Sequence, residues 1–206
     1  HWDEMGNSGW DWESVAPSVE RAKQGLRVRL VDDREVTPWQ QLFIDGGVLA
    51  GIPRVRHMND PDQDQGIAAS PVNIFDGMRW NTALGYLDPV RDRPNLTVIG
   101  DVLVDRVELQ GGRAVAVEAV VDGERIRVPA QRIVLSAGAY GSPAILLRSG
   151  VGPGEHLREV GISVVHELPG VGRNLVDHPD VVVALDPSPH LAARMDAFLS
   201  GGWLPD

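Results

Sequence analysis

Among the groups in this chain able to do chemistry the histidines come first, because there is no cysteine to act as nucleophile, redox centre or thiolate ligand. His178 stands in Asp177-His178-Pro179, an imidazole with a carboxylate beside it, the pairing a general base needs. Neighbours in an extended chain point to opposite faces, however, so adjacency in sequence is no hydrogen bond, and His178 is not assigned as catalytic. His57, His156, His166 and His190 share no motif, and His1 is the first residue. Asp60, Asp62 and Asp64 alternate like the opening of a calcium loop, but Gln65 stands where the loop's glycine belongs and Pro71 where its bidentate glutamate belongs. That run reads as a solvated acidic loop, and no metal site is expected. There is no Gly-x-Ser-x-Gly elbow, so serine hydrolase chemistry has no support.

The more informative stretch offers backbone rather than reactive side chains. Arg132-Ile-Val-Leu-Ser136 is an apolar run that reads as a buried parallel strand. It ends in Ser136, Ala137 and Gly138, small residues that let backbone or a ligand approach closely. Gly141-Ser142-Pro143 then opens a helix over about 142–149, with Ser142 as its cap and Pro143 in its first turn. In a doubly wound sheet, ligands sit at the carboxyl ends of the strands, where 136–138 fall. From the residues alone the same turn also reads as plain close packing, and both readings stand. Gly150-Val-Gly-Pro-Gly154 and Gly170-Val-Gly-Arg173 are partial copies of the phosphate-cradling Gly-x-Gly-x-x-Gly pattern. The first follows a helix rather than a strand, and both read as turns.

The elements that must position this stretch follow from capping, periodicity and turn chemistry. A helix is predicted from about Trp12 to Ala22, capped by Asp11 or Ser14 and stopped by Gly25. A second runs from Thr37 to about Leu49, with Thr37 as N-cap, Pro38 in the first position, and Trp39, Leu42, Phe43 and Leu49 as an apolar stripe. Residues 52–78 read mostly as irregular, 81–90 as a third helix, and 27–35 cannot be placed. Then come β-branched runs: Leu96–Ile99, Leu103–Leu109, Ala114–Val121 and Glu124–Val128. Gly111-Gly112 and Asp122-Gly123 separate the last three and predict an antiparallel three-stranded meander over 103–128. A helix at about 153–160, stopped by Gly161, and a strand at 163–168 complete the reading.

Composition bounds the possibilities. At 206 residues, 43% hydrophobic and 23% charged, the chain is an ordinary globular one. A net charge of −10 argues against a general nucleic-acid binder. The longest uncharged stretch, 133–147, is broken by Ser136, Gly138, Gly141, Ser142 and Pro143, so no membrane span is expected.

Ser136 to Gly152 resembles the second signature of the glucose–methanol–choline (GMC) oxidoreductase family, here small-Pro-x-x-Leu-Leu-x-Ser-Gly-x-Gly over Ser142 to Gly152. Its flanks are similar too: Arg93-Pro-Asn-Leu-Thr-Val98, Pro153-Gly-Glu-His-Leu157, Leu168-Pro-Gly-Val-Gly-Arg-Asn-Leu-Val-Asp-His-Pro179 and Gly77-Met-Arg-Trp-Asn-Thr-Ala-Leu-Gly-Tyr-Leu87. The resemblance runs from about Gly47 to Pro179, and Gly9-Trp10-Asp-Trp12 looks like the family's Gly-Trp stretch.

The resemblance implies an α/β chain (α+β within these residues). It would hold part of a Rossmann-like FAD-binding domain with a three-stranded meander, and part of a substrate-binding domain. Residues 1–79 would be lead-in and substrate or cap region, 80–172 FAD-binding domain, and 173–206 the start of the substrate domain. The implied cofactor is FAD, with Val104 meeting the adenine through its backbone N–H and C=O, and Ser136, Ala137 and Gly138 completing the adenosine end. The implied substrate is a small-molecule alcohol, oxidised to an aldehyde or ketone by hydride transfer to flavin while a neutral histidine takes the hydroxyl proton. The electron acceptor, oxygen or another, stays open. Neither the family's glycine fingerprint nor its catalytic-histidine segment is found here. The chain is therefore expected to be an internal piece, without a catalytic residue of its own and inactive if expressed alone, from a cytoplasmic protein. A hydroxynitrile-lyase-type relative using FAD structurally, a NAD(P)-dependent oxidoreductase and a non-catalytic binding domain are the alternatives.

Overall fold

A computed structural model describes residues 2–59 and 62–201. They form two compact units, one of residues 1–96 with 183–206, the other of 97–182.

The first unit opens with α1, Trp12–Gly25. Asp11 caps it, accepting the Ser14 N–H at 2.9 Å and the Ser14 hydroxyl at 2.6 Å. Beyond it Arg29 bridges to Val72 as an isolated antiparallel pair. Its guanidinium grips both oxygens of Glu35 at 2.5 and 2.6 Å and donates to the Ile74 carbonyl at 2.9 Å. This is how the stretch that sequence could not place is held: Arg29 ties the short 3-10 turn Asp33–Glu35 to the chain near residue 74. Glu35 lies below the usual carboxylate range because it hydrogen-bonds Arg29, and Asp32 is lowered to about 2, chiefly by its hydrogen bond from Arg34.

Helix α2, Pro38–Leu49, starts at the predicted cap: Thr37 accepts the Gln40 N–H at 3.2 Å and the Gln40 side chain accepts the Thr37 N–H at 2.9 Å. Its predicted apolar stripe is not the covered face. Phe43 and Leu49 are 69% and 89% exposed, while Ile44 is buried. The covered line is Ile44–Gly47, one helical step of three, where a side chain on Gly47 would collide with Ile67. Periodicity finds bulky residues, but here the side that packs is the side with a gap.

Strands β1, Ile74–Phe75, and β2, Met78–Arg79, form a hairpin inside the region read as irregular. Its turn is Asp76-Gly77, both at positive φ, the same Asp-Gly turn chemistry as at 122–123. Where one helix was predicted over 81–90, a π turn at Ala83–Leu87 passes into a 3-10 turn at Asp88–Val90. Pro89 has no N–H to return to Gly85, so the i→i−4 ladder is interrupted at this point.

The second unit is built on the predicted meander: β3 Leu103–Gln110, β4 Arg113–Val121 and β5 Glu124–Pro129, paired antiparallel in that order. Both turns, Gly111-Gly112 and Asp122-Gly123, have two consecutive positive φ values, as type I′ turns require. The register slips twice, at Asp105 in β3 and at Val115 in β4. By strict alternation Leu103 would share a face with Val107, but the first slip turns it to the opposite side, where it is exposed. One face carries Val107, Val117 and Ala119. The other carries Arg106–Glu118 and Arg127–Glu108 ion pairs, at 2.8 and 2.6 Å, around a buried Ala116. The run 96–99 is not a strand.

Nor is 132–136, the parallel strand expected to lead into the small-residue turn. It carries no regular structure, no described strand pairs with it, and Val134 is 78% exposed. A strand of this kind exists only through its neighbours, and the sheets here are the local ones. Helix α3 spans Gly138–Arg148, starting four residues before the predicted 142. Ser142 lies inside it and accepts the Ala137 N–H at 2.9 Å, so its hydroxyl does pin the start, from within the helix rather than ahead of it. Next come β6, Val151–Gly152, α4, Gly154–Glu159, and β7, His166–Glu167, which pairs parallel to β6 around the fully buried Leu157. The last element, α5, Pro189–Ser200, is capped by Ser188 and belongs to the first unit, where it packs against α2.

α3 docks on the open edge of β3. The Ser149 hydroxyl accepts the Val107 N–H at 2.8 Å and donates to the Ile145 carbonyl at 2.6 Å. Arg148 donates to the Asp105 carbonyl at 2.7 Å and to the Val104 carbonyl at 3.3 Å, and pairs with the Asp105 carboxylate at 3.1 Å. An edge strand's unpaired N–H and C=O groups are thus met by side chains.

Two outcomes are expected. Ser149→Ala leaves the buried Val107 N–H without a partner and should cost about 1–3 kcal/mol in denaturant unfolding of the second unit. Loss of less than about 0.5 kcal/mol would mean that the hydroxyl is dispensable at this edge. In the first unit, a carboxyl group with a lowered folded pKa stabilises above its unfolded value, 4.5 for Glu35, and that stabilisation disappears as pH falls through the lowered value. Glu35→Gln should therefore be less stable than the parent at pH 7, with the gap closing below pH 4.5 in acid titrations followed by circular dichroism. A gap that persists unchanged at low pH would assign the loss to packing rather than to the Arg29 ion pair.

Candidate functional site

Ser136, Ala137 and Gly138 come together as one exposed turn entering α3. Gly138 has φ +82°, where a side chain is strained, and a Cβ built there meets nothing within 4 Å. The free volume therefore belongs to the exterior, not to a neighbouring side chain. No side chain caps the helix start, so its first N–H groups stay available.

The glycines of 150–154 show the opposite condition. A side chain on Gly150 would strike the Ser163 carbonyl, one on Gly152 the Leu147 side chain, and one on Gly154 the Glu167 carboxylate. Glu167 also accepts the Gly154 N–H at 2.8 Å. These glycines make room for the protein's own atoms, which agrees with reading them as turns rather than as a phosphate loop. The turn at 136–138, by contrast, is small, exposed and open at an uncapped helix start, an openness that it shares with turn glycines such as Gly111, Gly112 and Gly123.

Val104 lies in β3, half-buried, paired with Ala119. It does not belong to the turn, but both are tied to α3: 136–138 lead into its first residue, and Arg148, its last, holds the Val104 carbonyl. No sequence signal announces that tie, because Arg148 occupies a variable place in the signature and sits 44 positions from Val104.

His178 is placed by its neighbour's carboxylate. The Asp177 carboxylate accepts the backbone N–H of His178 at 2.8 Å, so what the structure shows between the two is a main-chain contact. Asp60 lies outside the described residues, and among the described ones no cluster of His, Asp or Glu is placed to hold a metal ion. Among them too, no helix is long and apolar enough to cross a membrane. The first unit has an apolar cleft of about 650 Å³ between α2 and residues 68–77, walled by Val36, Trp39, Phe43 and Val72. Three of its polar wall residues are already engaged: Glu35 with Arg29, Thr37 and Gln40 with each other's backbone.

Comparison with known proteins places this geometry in context. The profile of the family described as GMC oxidoreductase matches residues 1–180. Mitochondrial choline dehydrogenase of Mus musculus is 38% identical over 194 residues, covering 88% of this chain and 32% of that protein. Oxygen-dependent choline dehydrogenase 1 of Chromohalobacter salexigens is 45% identical over 142 residues, 68% of this chain and 25% of that protein. The crystal structure of pyridoxine 4-oxidase from Mesorbium loti matches with a TM-score of 0.64 at 36% identity, over 69% of this chain and 28% of that one. The chain thus spans about a third of the length of the mouse relative.

Proposed function

The chain belongs to the GMC oxidoreductase family, and from that membership we propose that it forms part of an FAD-dependent enzyme oxidising a small-molecule alcohol to an aldehyde or ketone. The observation that carries the reading within this chain is the open turn at Gly138, where the backbone faces free space at an uncapped helix start. Val104, Ser136, Ala137 and Gly138 are assigned to the adenosine half of the FAD site. Val104 offers a backbone N–H and C=O side by side, the donor–acceptor pair that matches the ring nitrogen and 6-amino group of adenine. Ser136, Ala137 and Gly138 present little side-chain bulk, so the cofactor comes close to the main chain there. The first unit, with its apolar cleft, contributes wall to the substrate side.

When bound, FAD supplies the redox chemistry, accepting hydride from the alcohol carbon at its isoalloxazine. The residues of this chain bind and orient; none is assigned to proton transfer, and His178 least of all, its neighbouring acid being engaged by backbone.

The complete protein should purify yellow, with flavin absorbance bleached anaerobically by choline or another primary alcohol. Bound flavin that no alcohol reduces, with cyanohydrin cleavage in its place, would favour the lyase reading instead. Gly138→Val should lower FAD affinity about tenfold or more, as the strain of a β-branched residue at positive φ is added to the bulk it places in the site. Equilibrium dialysis measures this, and undiminished flavin content in a folded Gly138→Val protein removes Gly138 from the site.

A further inference from the structure

Resting on the assignment of Val104 to the adenine, we infer that Arg148 is a positioning residue for cofactor recognition: it sets the direction of the Val104 peptide that selects adenine. At a bulge the ladder no longer dictates where carbonyls point. Asp105 has no partner in β4, and the register slips between Val104 and Arg106. The peptide groups on either side of that slip are the ones Arg148 holds, with Nε on the Asp105 carbonyl at 2.7 Å and Nη2 on the Val104 carbonyl at 3.3 Å. A guanidinium is a rigid planar fork, so two carbonyls bound by one fork are fixed relative to each other. The fork is itself anchored by the Asp105 carboxylate at 3.1 Å, and Arg125 pairs with the same carboxylate at 3.1 Å from β5.

The Val104 carbonyl keeps a second lone pair beyond the one given to Arg148, and that is the acceptor left for the 6-amino group of adenine. Ser149 provides the contrast. It holds the same edge two residues further on, at the Val107 N–H, and touches neither peptide at the bulge. Arg148 therefore governs selectivity between purine edges, whereas Ser149 governs only the stability of the edge.

The test uses the complete apoprotein reconstituted with two probes, FAD and flavin hypoxanthine dinucleotide. Hypoxanthine replaces the 6-amino donor with an oxo acceptor and the N1 acceptor with N–H, so it mismatches both Val104 groups while keeping flavin, pyrophosphate and ribose. Losing two hydrogen bonds predicts that the parent prefers FAD by about thirtyfold. In Arg148→Met that preference should fall to about threefold or less, while in Ser149→Ala it stays at the parental ratio despite lower stability. A general loss of affinity cancels in the ratio, which separates positioning from mere damage. Should Arg148→Met not fold, Arg148→Lys carries the same measurement, since a single ammonium keeps the charge but not the fork. A preference unchanged in these Arg148 variants overturns the role of Arg148 and leaves the Val104 assignment standing. A Ser149→Ala ratio that collapses equally overturns it too, because the whole edge would then be responsible. A parent protein that does not distinguish the two probes overturns the Val104 assignment itself.

Discussion

The free edge of β3 is the constraint on which the second unit depends. A meander of three strands buries little by itself and exposes unpaired backbone groups along both outer strands. Arg148 and Ser149 satisfy one of those edges with side chains. Through them α3, and behind it the small β6–β7 pair with the buried Leu157, is attached to the sheet. The surface ion pairs on the charged sheet face, by contrast, are solvent-screened and contribute little. Edge satisfaction, not charge, sets the geometry.

That attachment also explains how two separated pieces of backbone serve one proposed site. α3 begins at the open turn of 136–138 and ends at the residue that holds Val104. A single helix of 11 residues acts as a strut between them. Glycine plays two unlike parts along the way. At 150, 152 and 154 it admits the protein's own carbonyl, leucine and carboxylate, and at 138 it faces open space. Identity alone does not separate these parts; only what lies beyond the missing Cβ does.

What could be read beforehand was local. The Thr37 cap, the Asp11 cap (one of the two that the sequence offers) and both turns of the meander depend on residues within a few positions, and all formed where expected. The hairpin at Asp76-Gly77 carries the same kind of signal and was legible, but its short strands hid it. Non-local features were not legible. Residues 132–136 have the composition of a buried strand but lack a paired neighbour among the described residues. The bulges at Asp105 and Val115 come from pairing, so the face assigned to Leu103 by strict alternation was the wrong one. In the site, the size of Ser136–Gly138 pointed to an open turn, while the reach of Arg148 to Val104 crosses 44 positions and leaves no periodic trace.

The distance along the chain between the edge and the side chain that closes it has a consequence during synthesis. Ser149 follows Pro129, the end of β5, by 20 residues, which at ribosomal speed is a delay of roughly 1–4 s. The hairpins of the meander close in about 1–10 μs. On the ribosome, then, a finished three-stranded sheet waits for seconds with a bare rim before its own fastener emerges. The kink that Asp105 puts into that rim makes it a poor template for a second nascent chain during the wait.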